Sequence, residues 1–175
     1  NKIECSEQEL EPMPLSGESL CDIKRKDVKT ISGLKCIQKL SLPGRNVAAY
    51  YNDEDLTILS QFENLEYFES WWGTCKNIFA ILGNLKHLKS ISTDCVINNT
   101  SFLKNLSHLE SLNLTLQEKN VQEINVNDIP PSIKELFFYD YDNGNYKIIN
   151  SNQIANLINL EKFTWTLPCS FKENN

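Results

Sequence analysis

Two histidines are the residues of this chain with the most obvious capacity for chemistry. His87 and His108 are its only histidines and lie 21 residues apart, and an imidazole can act as a general base or bind a metal. A nucleophile and an orienting acid would have to come from distant segments, because no G-x-S-x-G or H-E-x-x-H motif is present. A structural role is therefore favoured, and we expect no enzyme activity, no metal and no cofactor.

The six cysteines suit disulfides better than a metal site. They are Cys5, Cys21, Cys36, Cys75, Cys95 and Cys169. No two of them have the C-x-x-C spacing of the usual zinc sites. Cys5 and Cys21 flank a short acidic segment, and we expect them to be oxidised to each other, with Cys36 as the competing partner for either. Cys75 and Cys95 form the second predicted pair.

Charge and hydropathy disfavour several kinds of partner. The formal net charge is −6, from 17 Lys plus Arg against 23 Asp plus Glu, which disfavours binding to a nucleic-acid backbone or to an anionic membrane surface. No stretch approaches the roughly 18 apolar residues of a membrane span, so no membrane insertion is expected in this segment. The glycines are scattered singly and offer no phosphate-binding loop.

Four N-x-S/T sequons indicate the secretory pathway. They begin at Asn98, Asn99, Asn105 and Asn113, and glycans are attached to such sites on secreted proteins. An Asn-rich chain also generates sequons by chance. Together with the even number of cysteines, the sequons favour a secreted or cell-surface glycoprotein.

A repeated apolar pattern explains the positions of both histidines. Six segments share the pattern L-x-x-L-x-x-L-x-L, and their central residues are spaced by 28, 23, 21, 24 and 27 residues. These central residues are Ile37, Leu65, Leu88, Leu109, Ile133 and Leu160. The preceding position holds Cys36, Asn64, His87, His108, Ser132 and Asn159. Short polar side chains can form hydrogen bonds in a turn there.

The pattern resembles that of the leucine-rich-repeat family across about residues 31 to 169, since its spacings fall within the family range of 20 to 29 residues. The resemblance implies an α/β solenoid with one parallel β-sheet, an irregular convex side and an N-terminal cap. The strands are predicted at Leu40–Leu42, Phe68–Ser70, Ile91–Thr93, Leu112–Leu114, Leu136–Phe138 and Phe163–Trp165. The first and last residue of each of these ranges are expected to be buried.

The chain departs from the family after each strand and lacks the repeat at its ends. The family places Asn or Cys five residues after the first strand leucine, whereas this chain has Arg45, Gly73, Val96, Gln117, Tyr141 and Pro168. We therefore expect irregular repeats. The predicted organisation is a disulfide-containing cap at 1–32, six repeats at 33–169 and a tail at 170–175. Because the chain starts at Asn1, we expect a processed chain or an excised segment.

The strand residues that point away from the predicted core form a candidate binding face. In the family this is the concave sheet surface, which usually binds ligands. The candidate residues are Tyr67, Glu69, Trp71, Ser92, Asp94, Asn113, Phe137 and Tyr139, with Thr115 on the same polar floor. Tyr67 and Trp71 form one predicted aromatic group, and Phe137 and Tyr139 form another. The two groups are three strand steps apart, which is about 14 Å. A one-residue slip of register near Ser70 would bury the rings of the second repeat instead.

We interpret the chain as an extracellular, non-catalytic recognition module that binds a protein partner through the concave sheet face. One alternative is a carbohydrate-binding module, in which the exposed aromatic rings stack on sugars. Another is an intracellular protein-interaction scaffold with reduced thiols.

Overall fold

The computed structural model of the chain is a solenoid built on a seven-stranded parallel sheet. It describes residues 13–14, 37–42, 57–70, 78–93, 99–116, 122–140 and 146–166. The strands of this sheet are β1 (Met13–Pro14), β2 (Lys39–Leu42), β3 (Tyr67–Ser70), β4 (Ser90–Thr93), β5 (Ser111–Leu116), β7 (Glu135–Asp140) and β9 (Lys162–Thr166). Two further strands, β6 (Gln122–Asn125) and β8 (Tyr146–Ile149), form a separate parallel pair.

The register of the sheet reproduces the alignment of the six repeats. The first core position of each strand pairs with that of the next, through Leu40, Phe68, Ile91, Leu112, Leu136 and Phe163. Ser70 pairs with Leu42 on one side and Thr93 on the other, so no slip occurs at the end of β3. The six predicted strands and the parallel solenoid are confirmed.

One backbone carbonyl at the start of each coil fixes this register. The amides of Glu66 and Tyr67 both donate to the carbonyl of Gln38, at 2.8 and 2.9 Å. The amides of Lys89 and Ser90 both donate to the carbonyl of Glu66. The same double acceptance recurs at the carbonyls of Lys89, Glu110 and Lys134. Each coil is thereby attached to the preceding one at an equivalent place.

The core lies on one side of the seven-stranded sheet. Because side chains alternate between the faces of a strand, the second and fourth residues of β3, β4, β5 and β7 point into it, and Leu112 and Leu114 are completely buried. In β3 and β4 the fourth strand position holds a small polar residue, Ser70 and Thr93, and both are also buried. These two coils bury less apolar volume under the sheet than the coil that contains Leu114.

Short helices form the convex side within the described ranges. They are the α-helix α1 (Ile78–Leu82) and the 3-10 helices Thr57–Gln61, Ser101–Asn105, Val126–Asp128 and Ser151–Asn156. Neighbouring coils pack closely there, and the rings of Phe79 and Phe102 have centroids 4.9 Å apart. A Cβ atom on Gly83 would lie 3.1 Å from the carbonyl oxygen of Phe102, so this position suits glycine.

A buried polar cluster joins two convex coils. The hydroxyl of Thr100 donates to Asp128 Oδ2 at 3.0 Å and accepts from the amide of Asn125 at 2.9 Å. Lys104 Nζ lies 3.0 Å from Asp128 Oδ1. Thr100 and Asp128 are both buried, and buried polar groups require such partners. The threonine of the Asn98 sequon therefore has a structural role of its own.

Several expectations change at the ends of the sheet. Phe163 and Trp165 were expected to be buried, but Phe163 is 44% exposed and Trp165 is half-buried. The reason is that β9 pairs with β7 alone among the described strands. Two strand pairings were not expected from the sequence. Met13–Pro14 of the predicted cap pairs with β2, and β6 pairs with β8 on the convex side.

Other expectations fall outside the described residues. All six cysteines lie there, and so do the six positions that follow the strands, from Arg45 to Pro168.

The difference in burial along the sheet predicts different costs of truncation. Leu112→Ala should lower the free energy of unfolding by about 2 to 5 kcal/mol, as for other buried leucines. Phe163→Ala should cost less than about 2 kcal/mol, because its ring already contacts water over nearly half of its surface. Urea unfolding of both variants measures the two values. A larger cost for Phe163→Ala than for Leu112→Ala would contradict the exposed position of β9.

Candidate functional site

The candidate site is the sheet face opposite to the core, which we call the recognition face. Strand pairing arranges its residues in columns across the sheet. The first column is Lys39, Tyr67, Ser90, Ser111, Glu135 and Lys162, and the second is Ser41, Glu69, Ser92, Asn113, Phe137 and Thr164. A third column contains Thr115, Tyr139 and Thr166. Strand residues at equivalent repeat positions are therefore neighbours in the sheet.

Tyr67 provides an exposed aromatic ring at one side of the recognition face. It is 41% exposed, whereas Phe68, the next residue of β3, is buried. The ammonium group of Lys39 lies 5.1 Å from the centre of the Tyr67 ring, which is within the range of a cation–π interaction. This contact holds the ring at the surface.

Phe137 and Tyr139 provide the second aromatic group. They lie two residues apart on β7 and therefore on the same face. Their ring centroids are 6.3 Å apart with an interplanar angle of 8°, and both residues are half-buried. The two rings form a stacked pair three strand steps from Tyr67, or about 14 Å away along the sheet.

Polar residues lie between the two aromatic groups. Glu69, Ser92 and Asn113 are half-buried. The side-chain oxygen Oδ1 of Asn113 is buried and has no hydrogen-bond partner, which is an unfavourable state for an amide oxygen. Thr115 was expected on the open floor but is only 4% exposed, since its short side chain lies beside the larger Tyr139 of the neighbouring strand.

Two predicted site residues, Trp71 and Asp94, lie outside the described residues. The structure thus brings together six of the eight predicted binding residues on one face: Tyr67, Glu69, Ser92, Asn113, Phe137 and Tyr139.

A row of alternating charges borders the recognition face where the strands begin. We call it the charge ladder, and it consists of Glu66, Lys89, Glu110, Lys134 and Glu161. Lys89 is paired with Glu66, and Lys134 with Glu110, both at 2.8 Å. The hydrogen bond that Lys134 donates lowers the pKa of Glu110, and the one that Lys89 donates to Glu66 raises the pKa of that lysine.

The charge ladder was missed by the sequence analysis, although a signal for it was present. The residue immediately before each strand alternates in sign from Glu66 onwards, and in a parallel in-register sheet such residues become neighbours. In the first column, Lys162 forms an ion pair with Glu135, and the hydroxyl of Ser111 donates a hydrogen bond to the same carboxylate.

The two histidines lie away from the recognition face. His87 and His108 are exposed in the turns that precede β4 and β5. At the same turn position, Ser132 Oγ donates to the carbonyl of Leu109 and Asn159 Nδ2 to that of Pro131, both at 2.7 Å. Two members of this column therefore make the turn hydrogen bonds that the repeat predicts.

No group of three or more His, Cys, Asp or Glu residues among the described ones could hold a metal ion. Within the described part of the chain, no helix has the length and apolar character needed to cross a membrane.

A cavity of about 340 Å³ lies on the convex side. Its lining is made of two phenylalanines, small residues and amides: Phe79, Ala80, Gly83, Asn99, Ser101, Phe102 and Asn105. None of these residues is a carboxylate or an imidazole, so the lining offers no general base.

The sheet has parallel strands in register, backbone carbonyls that each accept two amides, and buried apolar columns. These features define a leucine-rich-repeat fold. Among solved structures, the chain is similar to internalin C2 from Listeria monocytogenes strain 4b F2365, with a TM-score of 0.54 and 23% sequence identity. The similarity covers 80% of this chain and 57% of internalin C2, so the chain spans little more than half of that protein. No protein-family model and no curated protein matches the sequence.

The charge ladder predicts a pH-dependent effect on stability. The lowered pKa of Glu110 means that its pairing stabilises the fold above the ordinary glutamate pKa of about 4.3 and is lost as the pH falls through the lowered value. Lys134→Met should therefore destabilise the protein at neutral pH and low salt, and much less in strong acid. Urea unfolding at both pH values measures this, with the exposed Lys147→Met as control. An equal loss at both pH values would contradict the ionic role of Lys134.

Proposed function

We propose that the chain is an extracellular, non-catalytic recognition module that binds an extended segment of a partner protein on its recognition face. Leucine-rich-repeat solenoids are typical protein-interaction modules, and their concave sheet surface is the usual place of contact. The observation that carries the proposal is the arrangement of Tyr67 and the Phe137–Tyr139 pair on one face, on either side of polar residues.

The dimensions of the recognition face suit a short peptide. An extended chain advances about 3.3 Å per residue, so four to five residues reach from Tyr67 to Phe137. Aromatic rings are common anchors in protein interfaces because they bury large areas and lose little conformational entropy. Between these anchors, the peptide backbone would meet the half-buried polar side chains of Ser92 and Asn113.

The charges around the recognition face favour a polypeptide over a neutral glycan. Lys39, Glu135 and Lys162 lie in its first column, and the charge ladder follows its border. A protein segment can carry complementary charges of both signs, which increases specificity and the rate of association. A sugar that stacks on the rings is the main competing ligand.

The extracellular part of the proposal depends on the cysteines and sequons. Asn99 and Asn105 are exposed on the convex side, where a glycan would leave the recognition face open. Asn113 lies in the middle of that face and is half-buried, so we propose that its sequon is not modified. A glycan at Asn113 would obstruct a protein partner and would move the proposed contact surface elsewhere.

A direct screen can identify the ligand class. The purified chain would be applied to a displayed library of random linear peptides and, in parallel, to a glycan array. We expect peptides with at least one aromatic or aliphatic anchor to be enriched, and their binding to be saturable. Saturable binding on the glycan array without peptide enrichment would favour the carbohydrate alternative.

Truncation of the anchors provides the specific test of the recognition face. We expect Tyr67→Ala and Phe137→Ala each to weaken binding of a selected peptide by at least about 2 kcal/mol, the usual threshold for an interface hot spot. Lys147→Ala on the exposed surface of β8 is the matched control and should leave affinity unchanged. Calorimetric titration gives the affinities, and urea unfolding shows whether each variant is folded. If both ring variants fold and bind normally, the peptide contacts another surface.

The redox state of the cysteines tests the proposed location. We expect protein prepared from an oxidising secretory route without reductant to resist alkylation at Cys5, Cys21, Cys75 and Cys95, because disulfides persist in such compartments. Intact mass before and after reduction counts the blocked thiols, and peptide mapping identifies the pairs. Four freely alkylated thiols would favour the intracellular scaffold.

A further inference from the structure

Two histidines share one position of the repeat, in the turn that precedes each strand. This position, which we call the turn column, holds Asn64, His87, His108, Ser132 and Asn159 in the described coils. Ser132 Oγ and Asn159 Nδ2 each donate a hydrogen bond to a backbone carbonyl of the preceding coil. In the described ranges, no hydrogen bond or ion pair involves the imidazole of His87 or His108. The turn hydrogen bond of this column therefore does not explain why both residues are histidine.

The backbone places the two histidines side by side. The turns at residues 85–88 and 106–109 close with the same hydrogen bond, from the last amide to the first carbonyl, at 3.1 and 3.0 Å. Ser90 and Ser111, each three residues after its histidine, are partners in the register of β4 and β5. Equivalent residues of neighbouring strands lie about 4.8 Å apart. Equal turns in adjacent coils thus attach the two imidazoles next to each other.

Both imidazoles are accessible in the middle of the described solenoid. His87 and His108 are exposed, and so are the turn residues before them, Lys86 and Ser107. The turns of the coils on either side, at residues 61–66 and 129–134, also belong to the described structure. The exposure of the pair is therefore a property of inner coils and does not result from an end of the sheet.

Two neighbouring imidazoles can chelate a transition-metal ion. A neutral imidazole nitrogen is a common ligand of zinc, copper and nickel, and the Zn–N distance is about 2.0–2.1 Å. In a tetrahedral site two such nitrogens are roughly 3.4 Å apart. Two rings attached about 4.8 Å apart reach this separation if they converge slightly. Since the described fold uses neither imidazole, binding of an ion breaks no internal hydrogen bond.

The charges around the pair permit a bound cation. Lys89 is paired with Glu66, and its charge is thereby largely compensated. Lys86 is exposed beside His87, and water and salt screen its repulsion of a cation. The chain carries a formal net charge of −6, which attracts cations at long range. The electrostatic field therefore favours the approach of a divalent cation.

We propose that His87 and His108 form a binding site for a divalent transition-metal ion, with zinc as the representative ion and water at the remaining coordination positions. The site lies in the turns and does not depend on the recognition face or on a peptide bound there. An ion held by two imidazoles keeps open coordination positions, at which a side chain of another molecule can replace water.

Titration of the full chain with zinc chloride, without a histidine tag, tests the proposal. His87 and His108 are the only histidines, so their imidazole signals in NMR spectra report this site separately from zinc bound at cysteines. We expect the signals of both rings to shift together and to saturate at one ion per histidine pair. Signals that do not move, or that move with different midpoints, would overturn the proposal, because they exclude an ion shared by the two rings.

Loss of one histidine tests whether both are ligands. His108→Asn should weaken zinc binding, measured at the His87 ring, at least about tenfold, because even the loss of a residue that only orients a ligand costs about 10–100-fold in affinity. The position is exposed, so the variant should keep its fold, and its amide spectrum without zinc checks this. Undiminished affinity of the folded variant would overturn the proposal.

Relocation of the second histidine tests whether the two must be adjacent. Added to His108→Asn, the change Asn64→His recreates a pair on neighbouring coils and should restore the affinity at His87. Ser132→His in the same background is the matched control, because it places the second histidine two strand steps from His87, or about 9.6 Å away. We expect no recovery there. Equal affinity of the two relocated variants would contradict chelation by neighbouring coils.

Discussion

The sheet from β2 to β9 depends on five backbone carbonyl groups, each of which accepts two amides of the following coil. The carbonyls of Gln38, Glu66, Lys89, Glu110 and Lys134 all do so. This contact sets the starting point of each strand, and the alternation of side chains along the strand then decides which residues become buried. A displacement by one residue would move Leu112 and Leu114 to the solvent side, so the apolar core and the backbone hydrogen bonds support the same register.

The same register produces the recognition face without any further specification. Once the core residues point inward, Tyr67, Asn113 and Phe137 must point outward, and their order across the sheet follows the order of the coils. The charge ladder adds a modest electrostatic preference to this arrangement. Its ion pairs are exposed to water, so each contributes little to stability, but like charges at neighbouring places would oppose the register.

Most of the sheet could be predicted from the sequence because its signal is periodic. The spacing of Ile37, Leu65, Leu88, Leu109, Ile133 and Leu160 located six of the seven strands of the sheet, and the two-residue alternation after each of them located the core and the exposed columns. Ser70 is polar, but its pairing with Leu42 on one side and Thr93 on the other shows that it occupies a core position. Six of the eight predicted site residues lie on the predicted face for the same reason.

The remaining features depend on contacts that have no local sequence signal. The strand Met13–Pro14 has only two residues, too few for a period to be read. The β6–β8 pair and the Thr100–Asp128 hydrogen bond join residues of different coils on the irregular side. The exposure of Phe163 reflects its place at the edge of the described sheet, since its own segment has the same pattern as the buried repeats.

We propose that a partner segment lies on the recognition face. Hydroxyl-radical footprinting of the complex with a selected peptide tests this claim most directly, because mass spectrometry reports the oxidation of individual aromatic side chains. We predict reduced oxidation of Tyr67, Phe137 and Tyr139 in the complex, with Phe163, which is exposed on the core side of β9, unchanged. Protection of Phe163 together with unchanged oxidation of Tyr67 would contradict this prediction.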